Sequence, residues 1–174
     1  MVLDTPHLVI VPATLADYPA FQNLARFYVY DISRYCGDLP GWDCPEDGLY
    51  EAYDFRPYFE TPDCFPFSLY AGDERAGFLV VKNVGAAGTK LWNMEQFFVT
   101  AKFQRRGQGA RLAQEIWARF RGSWRIEVIP ENARALAFWQ DVIDRQSAGS
   151  YRRERKSVAT PEGDAERIVF SFES

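Results

Sequence analysis

The sequence predicts an α+β domain in which a largely antiparallel central sheet is flanked by helices. Three observations carry this. Periodic segments follow one another in the order strand, helix, irregular stretch, three strands, helix, strand, helix, two strands. Neighbouring strands are joined by short turns, and a strand-helix-strand unit appears only around Gly107. The chain has 174 residues, 47% of them hydrophobic and 16% aromatic, which is enough for one substantial core, so residues 1–174 are read as a single domain.

Each element has a local reason. Leu8 to Val11 is strand-like. Thr14-Leu15-Ala16-Asp17 has the form of a helix start, with Pro19 restricting the first turn. Leu15, Tyr18, Phe21, Leu24, Ala25 and Tyr28 then recur at helical spacing, so a helix is expected to about Tyr30. From Asp31 to Asp63 the pattern breaks into Pro, Gly, aromatic and acidic residues, an irregular or short-helical insertion. Cys64 to Ala71 and Ala76 to Asn83 are apolar runs joined across Gly72-Asp73-Glu74-Arg75, a hairpin signal. After the turn-like Val84 to Thr89, Lys90 to Thr100 is strand-like. Leu112, Ile116 and Phe120 mark a helix from Gly107 to Phe120, Trp124 to Val128 a strand, and Asn132 to Val142 a helix. Tyr151 to Val158 and Arg167 to Phe172 close the chain as strands, joined by a polar turn from Ala159 to Glu166.

Composition removes several function classes. A net charge of −4 and the lack of a long basic run argue against nucleic acid. No apolar stretch reaches membrane-spanning length, and the first residues lack a basic segment followed by a long apolar run, so no membrane association and a cytoplasmic location are expected. Cys36, Cys44 and Cys64 are odd in number, with neither C-x-x-C spacing nor a neighbouring histidine, so neither a disulfide framework nor a metal site is expected. His7 is the only histidine and lies at a strand-like start, which argues against Ser-His and Cys-His catalysis.

The chemistry-bearing segment is Gln104-Arg105-Arg106-Gly107-Gln108-Gly109-Ala110, which follows the strand Phe97-Phe98-Val99-Thr100 and opens a helix. Glycines at a helix start let the backbone approach an anion, and the unpaired first-turn N–H groups and helix dipole favour negative charge. Arg105, Arg106 and Arg111 add cations at that end. Two glycines alone are equally compatible with an ordinary strand-to-helix turn. A dinucleotide fingerprint is a competing reading, with Glu127 as the ribose-binding acid, but Leu112 stands where its third glycine belongs and repeated βαβ units are lacking.

The segment resembles the Q/R-x-x-G-x-G/A signature of the GNAT superfamily of acyl-CoA-dependent N-acetyltransferases, through Gln104, Gly107 and Gly109. Glu95-Gln96-Phe97-Phe98-Val99 is similar to the strand that precedes that signature. Asn132, Ala135, Phe138 and Trp139 resemble the family's N-x-x-A-x-x-F-Y helix. The resemblance implies acetyl-CoA as co-substrate without a metal, transfer to an amine acceptor, pyrophosphate on the Gln104 to Ala110 backbone, pantetheine along Phe97, Phe98 and Val99, and contacts from Asn132 and Phe138. A homodimer is left open. A non-catalytic acyl-CoA sensor, and transfer to a protein N-terminus or lysine, are the alternatives.

Transfer from a thioester to an amine needs a base and, for the departing thiolate, an acid. Glu95 is the expected general base, as a carboxylate inside an otherwise apolar strand and at a position that resembles the family's amine-activating one. Asn93, two residues earlier on the same face, is a candidate to hold a water or accept a hydrogen bond. Where the family often carries a tyrosine, Phe138-Trp139 offers no useful proton, so Tyr151 or solvent is the expected acid. The 31–63 insertion carries nine carboxylates against Arg34 and Arg56. With its tyrosines and Trp42 it is read either as a wall for a cationic amine, with Tyr30, Asp31, Tyr35 and Asp43 as acceptor contacts, or as a solvated loop.

Overall fold

The computed structural model describes residues 7–51, 53–160 and 163–174. Seven strands form one sheet: β1 (Val9–Pro12), β2 (Cys64–Ala71), β3 (Glu74–Asn83), β4 (Trp92–Val99), β5 (Ser123–Val128), β6 (Tyr151–Thr160) and β7 (Gly163–Glu173). Their order across the sheet is β1-β2-β3-β4-β5-β7-β6. Only β4 and β5 run parallel, and they are joined through helix α3 (Gln108–Arg119), as a parallel pair requires.

β3 shows why the sheet is central. Alternate residues of a strand face opposite ways. Phe78 and Val80 pack under helix α1 (Tyr18–Cys36), against Phe21 and Ala25, while Leu79 and Val81 join the core formed by α3 and helix α4 (Ala133–Ser147). Both faces of β3 are therefore covered, which is why its sequence reads as a continuous apolar run rather than an alternation. The larger core holds Leu112, Ile116 and Trp117 of α3 with Trp139, Val142 and Ile143 of α4. The α1 core is mostly aromatic, with Phe21 and Phe78 stacked at 5.0 Å between centroids.

Several element boundaries differ from expectation: α4 runs to Ser147 rather than Val142, and β3 starts at Glu74 rather than Ala76. The first helix does not end near Tyr30. It continues to Cys36 because Tyr28, Ile32 and Cys36 carry the four-residue spacing onward and Cys36 is fully buried. The segment expected as a turn from Ala159 to Glu166 is mostly strand, paired as far as Thr160↔Gly163. Cross-strand charge pairs such as Arg155–Glu166 at 2.6 Å hold it there, so its polar composition conceals a hairpin. Pro161 and Glu162 of that expected turn lie outside the described residues. The 31–63 insertion contains the short helix α2 (Pro57–Glu60).

Candidate active site

The site begins where the sheet opens. β4 stays paired with β3 as far as Val99, but it meets β5 only at Trp92↔Trp124 and Asn93↔Arg125. Beyond Asn93 the two parallel strands part, and one backbone edge of β4 lacks a strand partner among the described residues. Tyr28 packs against Phe98 of that stretch, with ring centroids 5.4 Å apart, and burial holds its phenol well above its ordinary pKa.

The β3–β4 register steps from Val80↔Gln96 to Val81↔Met94, which leaves Glu95 as the extra residue of a bulge. A bulge re-aims side chains. Here Asn93, Glu95 and Gln96 all line one cleft of about 1150 Å³, roofed by Tyr28 of α1 and by Trp42 and Tyr53 of the insertion. Asn93 Nδ2 donates to Glu95 Oε2 at 2.8 Å, and Lys82 Nζ lies 3.8 Å from Glu95 Oε1. Asn93 is 5% exposed, and its Oδ1 is a buried acceptor without a hydrogen-bond partner. Such an orphan costs free energy unless a ligand or water meets it.

Sequence reading missed the role of Gln96. Its amide donates to the Tyr58 hydroxyl at 2.9 Å and to that of Tyr53, pinning the insertion over the cleft. The available signal was the same as for Glu95, a polar residue inside an apolar strand. On the far wall Arg125 Nη2 stands 2.8 Å from Glu127 Oε1.

The glycine loop is built from both sides. Gln104 Nε2 donates to the Val99 carbonyl at 2.6 Å, its Oε1 accepts from Arg134 Nη2 at 2.6 Å, and Asp31 Oδ2 lies 3.4 Å away. This side chain ties the end of β4 to α4 and α1. Arg105 (φ +59°) and Gly107 (φ +71°) turn the chain into α3. Gly107 is the N-cap and no side chain caps this helix, so its first N–H groups are available to an anion. Arg105 and Arg106 are exposed beside it. Gln108 is buried, and its Oε1 accepts from the Leu8 N–H at 3.3 Å. Arg111 bonds the Leu8 carbonyl and pairs with Glu115 at 3.2 Å, so it serves the β1–α3 contact. Gly109 has a packing reason: a Cβ there lies 3.2 Å from the Phe138 ring, which stacks on Phe97 at 5.9 Å. Ala110 packs half-buried against the core. Asn132 caps α4, with Oδ1 accepting from the Ala135 N–H at 3.0 Å.

Other expected residues stand apart. Tyr151 lines a separate depression with Leu91 and Trp124, away from Glu95. None of Tyr30, Asp31, Tyr35 and Asp43 lines the cleft. Tyr30 is 54% exposed and packs edge-on against Tyr50, Asp31 faces Gln104, Tyr35 is half-buried and Asp43 is exposed. Among the described residues no group of His, Cys, Asp and Glu side chains is gathered that could hold a metal, and no helix is long and apolar enough to cross a membrane.

Solved structures share this fold. An acetyltransferase from Thermus thermophilus aligns over 99% of this chain and 100% of its own, with 20% identity and a TM-score of 0.60. The ribosomal-protein-S18-alanine N-acetyltransferase from Escherichia coli aligns over 95% and 93%, with 16% identity and a TM-score of 0.58. The aminoglycoside acetyltransferase AAC(6')-Ib, in complex with ribostamycin and coenzyme A, aligns over 96% and 93%, with 13% identity and a TM-score of 0.63. No curated protein matches the sequence. The model of the acetyltransferase (GNAT) family matches residues 30–142, and with most of its length so matched the chain belongs to that family.

Proposed function

We propose that this protein moves an acetyl group from acetyl-CoA to a primary amine by direct attack, with Glu95 as general base. The observation that carries the reading is the Asn93–Glu95 pair: strand alternation turns an orphaned buried acceptor, Asn93 Oδ1, and the Glu95 carboxylate into one cleft beside the open edge of β4, and the bulge adds Gln96 to the same face. Asn93 Oδ1 accepts one amine N–H and Glu95 takes the proton released as the nitrogen attacks. The new C–N bond forms as the C–S bond breaks. A backbone N–H of the open edge of β4 serves as donor for the developing oxyanion. Tyr28, kept protonated by burial, lines the cleft and supplies an O–H there; it or solvent returns a proton to the thiolate. The uncapped start of α3, with Arg105 and Arg106, holds the pyrophosphate through backbone N–H groups of Gln108, Gly109 and Ala110. The open edge from Phe97 to Val99 takes the pantetheine arm, with Phe138 and the amide of Asn132 at its side.

For the acceptor, Tyr28, Trp42 and Tyr53 supply an aromatic roof, whereas of the insertion's carboxylates only Glu51 lines the cleft. The expectation of a cationic acceptor, which rested on that acidity, thus loses most of its support. The test is thiol release from acetyl-CoA across amines, amino acids, aminoglycosides and peptides. Amine-dependent release supports the reading. Tight acetyl-CoA binding without turnover on any amine points instead to a non-catalytic sensor.

A further inference from the structure

We propose that the acceptor is an amine bearing a carboxylate a few carbons away, amino-acid-like in chemistry, with its anion held by Arg125 and by the Lys156–Arg167 pair. The proposal rests on the acetyltransferase reading above and names the substrate class of the same cleft.

The orphaned atoms come first. Among the described residues, the buried side-chain polar atoms without a hydrogen-bond partner are Asn93 Oδ1, Arg125 Nε, Glu127 Oε1 and Trp117 Nε1. The first three belong to residues that line the cleft. Glu127 Oε1 stands 2.8 Å from Arg125 Nη2, a charge contact without hydrogen-bond alignment. Two acceptors and one guanidinium donor thus point to a ligand with both signs of polarity: an amine for Asn93 Oδ1 and Glu127 Oε1, an anion for Arg125 Nε.

Strand alternation then adds the charge. Ile126, Val128, Ile168 and Phe170 lie in the core under α3 and α4, so Arg125, Glu127 and Arg167 emerge on the other face. There Lys156 and Arg167 are direct cross-strand partners, and like charges in that position repel. Arg167 Nη1 is met by the Glu166 main-chain carbonyl at 2.8 Å, and Lys156 Nζ is 3.7 Å from the part-exposed Glu154. The chain carries a net −4, yet its cleft gathers Lys82, Arg125, Lys156 and Arg167 against Glu51, Glu95 and Glu127. Lys82 and Arg125 stand opposite Glu95 and Glu127, which leaves the excess of positive charge on the β6–β7 side. Asn93 and Arg125 are register partners on adjacent strands, about 4.8 Å apart. That separation suits an amine and a carboxylate one to three carbons apart, with the chain directed toward Arg167 and Lys156.

The experiment measures kcat/KM, at equal free-amine concentration, for glycine, β-alanine and 4-aminobutyrate against their carboxamides, with 1,4-diaminobutane as the cationic comparator. The acids should exceed the carboxamides by about ten- to a hundredfold, the scale of a charge-assisted hydrogen bond. Lys156→Gln combined with Arg167→Gln should remove most of that ratio, mainly through KM, with a much smaller fall for the carboxamides and an unchanged thermal melt that reports an intact fold. Preference for the diamine, equal rates for acids and carboxamides, or an equal loss on both in the double variant overturns the proposal. If no amine releases CoA, the acetyltransferase reading falls, and calorimetric titration of the same pairs decides the anion site alone. Binding of the acids that the double variant abolishes upholds it; equal or absent binding overturns it.

Discussion

Glu95→Gln keeps the shape of the cleft and removes its base. The Gln oxygen still accepts from Asn93 Nδ2, the bond now made at 2.8 Å, so the bulge has no reason to rearrange. The electrostatic loss is the attraction to Lys82 at 3.8 Å. At an effective dielectric of about 20 that is about 4 kcal/mol in gross terms. With the two side chains 37% and 23% exposed, solvent screening leaves a net contribution of about 0–1 kcal/mol. For a chain of this size that lowers Tm by no more than about 4 °C. Loss of general base catalysis, in contrast, reduces kcat about a hundred- to ten-thousandfold, or about 2.7–5.4 kcal/mol in activation free energy. The assay is thiol release at saturating acetyl-CoA with the best amine found, alongside a thermal melt and acetyl-CoA calorimetry. A rate within about threefold of the parent at neutral pH transfers the base role to an Asn93-bound water or to the substrate. A fall in Tm of about 10 °C or more makes Glu95 a structural residue instead.

The two loop glycines should separate binding from packing. Gly107→Asp places a carboxylate in open space, at a backbone strain of about 1–2 kcal/mol because φ is +71°, so it should fold with a lowered Tm and lose at least about tenfold in acetyl-CoA affinity through repulsion at the helix start; unchanged affinity by calorimetry removes the pyrophosphate from that site. Gly109→Ala gains up to about 1 kcal/mol of helix propensity within α3 but pushes on the Phe138 ring at 3.2 Å; a ring fixed by its stacking on Phe97 makes overpacking, about 1–3 kcal/mol, outweigh that gain, so the urea midpoint should fall, and a raised midpoint shows that the ring yields. At Asp17 burial works to raise the carboxyl pKa, but the Thr14 N–H and Arg75, 2.8 Å away, hold it below the usual range. Its contribution is therefore present above the unfolded-state pKa of roughly 3.9, and is lost as pH falls through the lower folded value. Asp17→Asn should cost about 1 kcal/mol at pH 7 and progressively less in acid, and an equal urea-midpoint difference at pH 7 and pH 3 refutes the linkage.

What the sequence determined by itself is what short-range periodicity encodes. The β2–β3 hairpin, the start of α3 and the glycine loop are each specified within about a dozen residues, by alternation, by helical spacing and by the freedom of Gly107. Glu95 and Asn93 were legible as candidates because polar side chains inside a buried strand carry a desolvation cost that function explains. The continuation of α1 to Cys36 was weakly written, since its spacing persists but its residues turn polar. What only the tertiary structure decided depends on register and on contacts between distant segments. The bulge that turns both Glu95 and Gln96 into one cleft arises from a one-residue step against β3, and the open edge of β4 exists because β5 pairs at two positions only. Gln96 reaches tyrosines about forty residues away in sequence, and Gln108 and Arg111, which read as part of an anion loop, turn to Leu8. The charge of the cleft follows the same logic: Lys156 meets Arg167 through strand pairing, while the acidic residues Asp31 and Asp43 stay outside. Composition counts charges along the chain, and pairing registers across the sheet decide which of them share a surface.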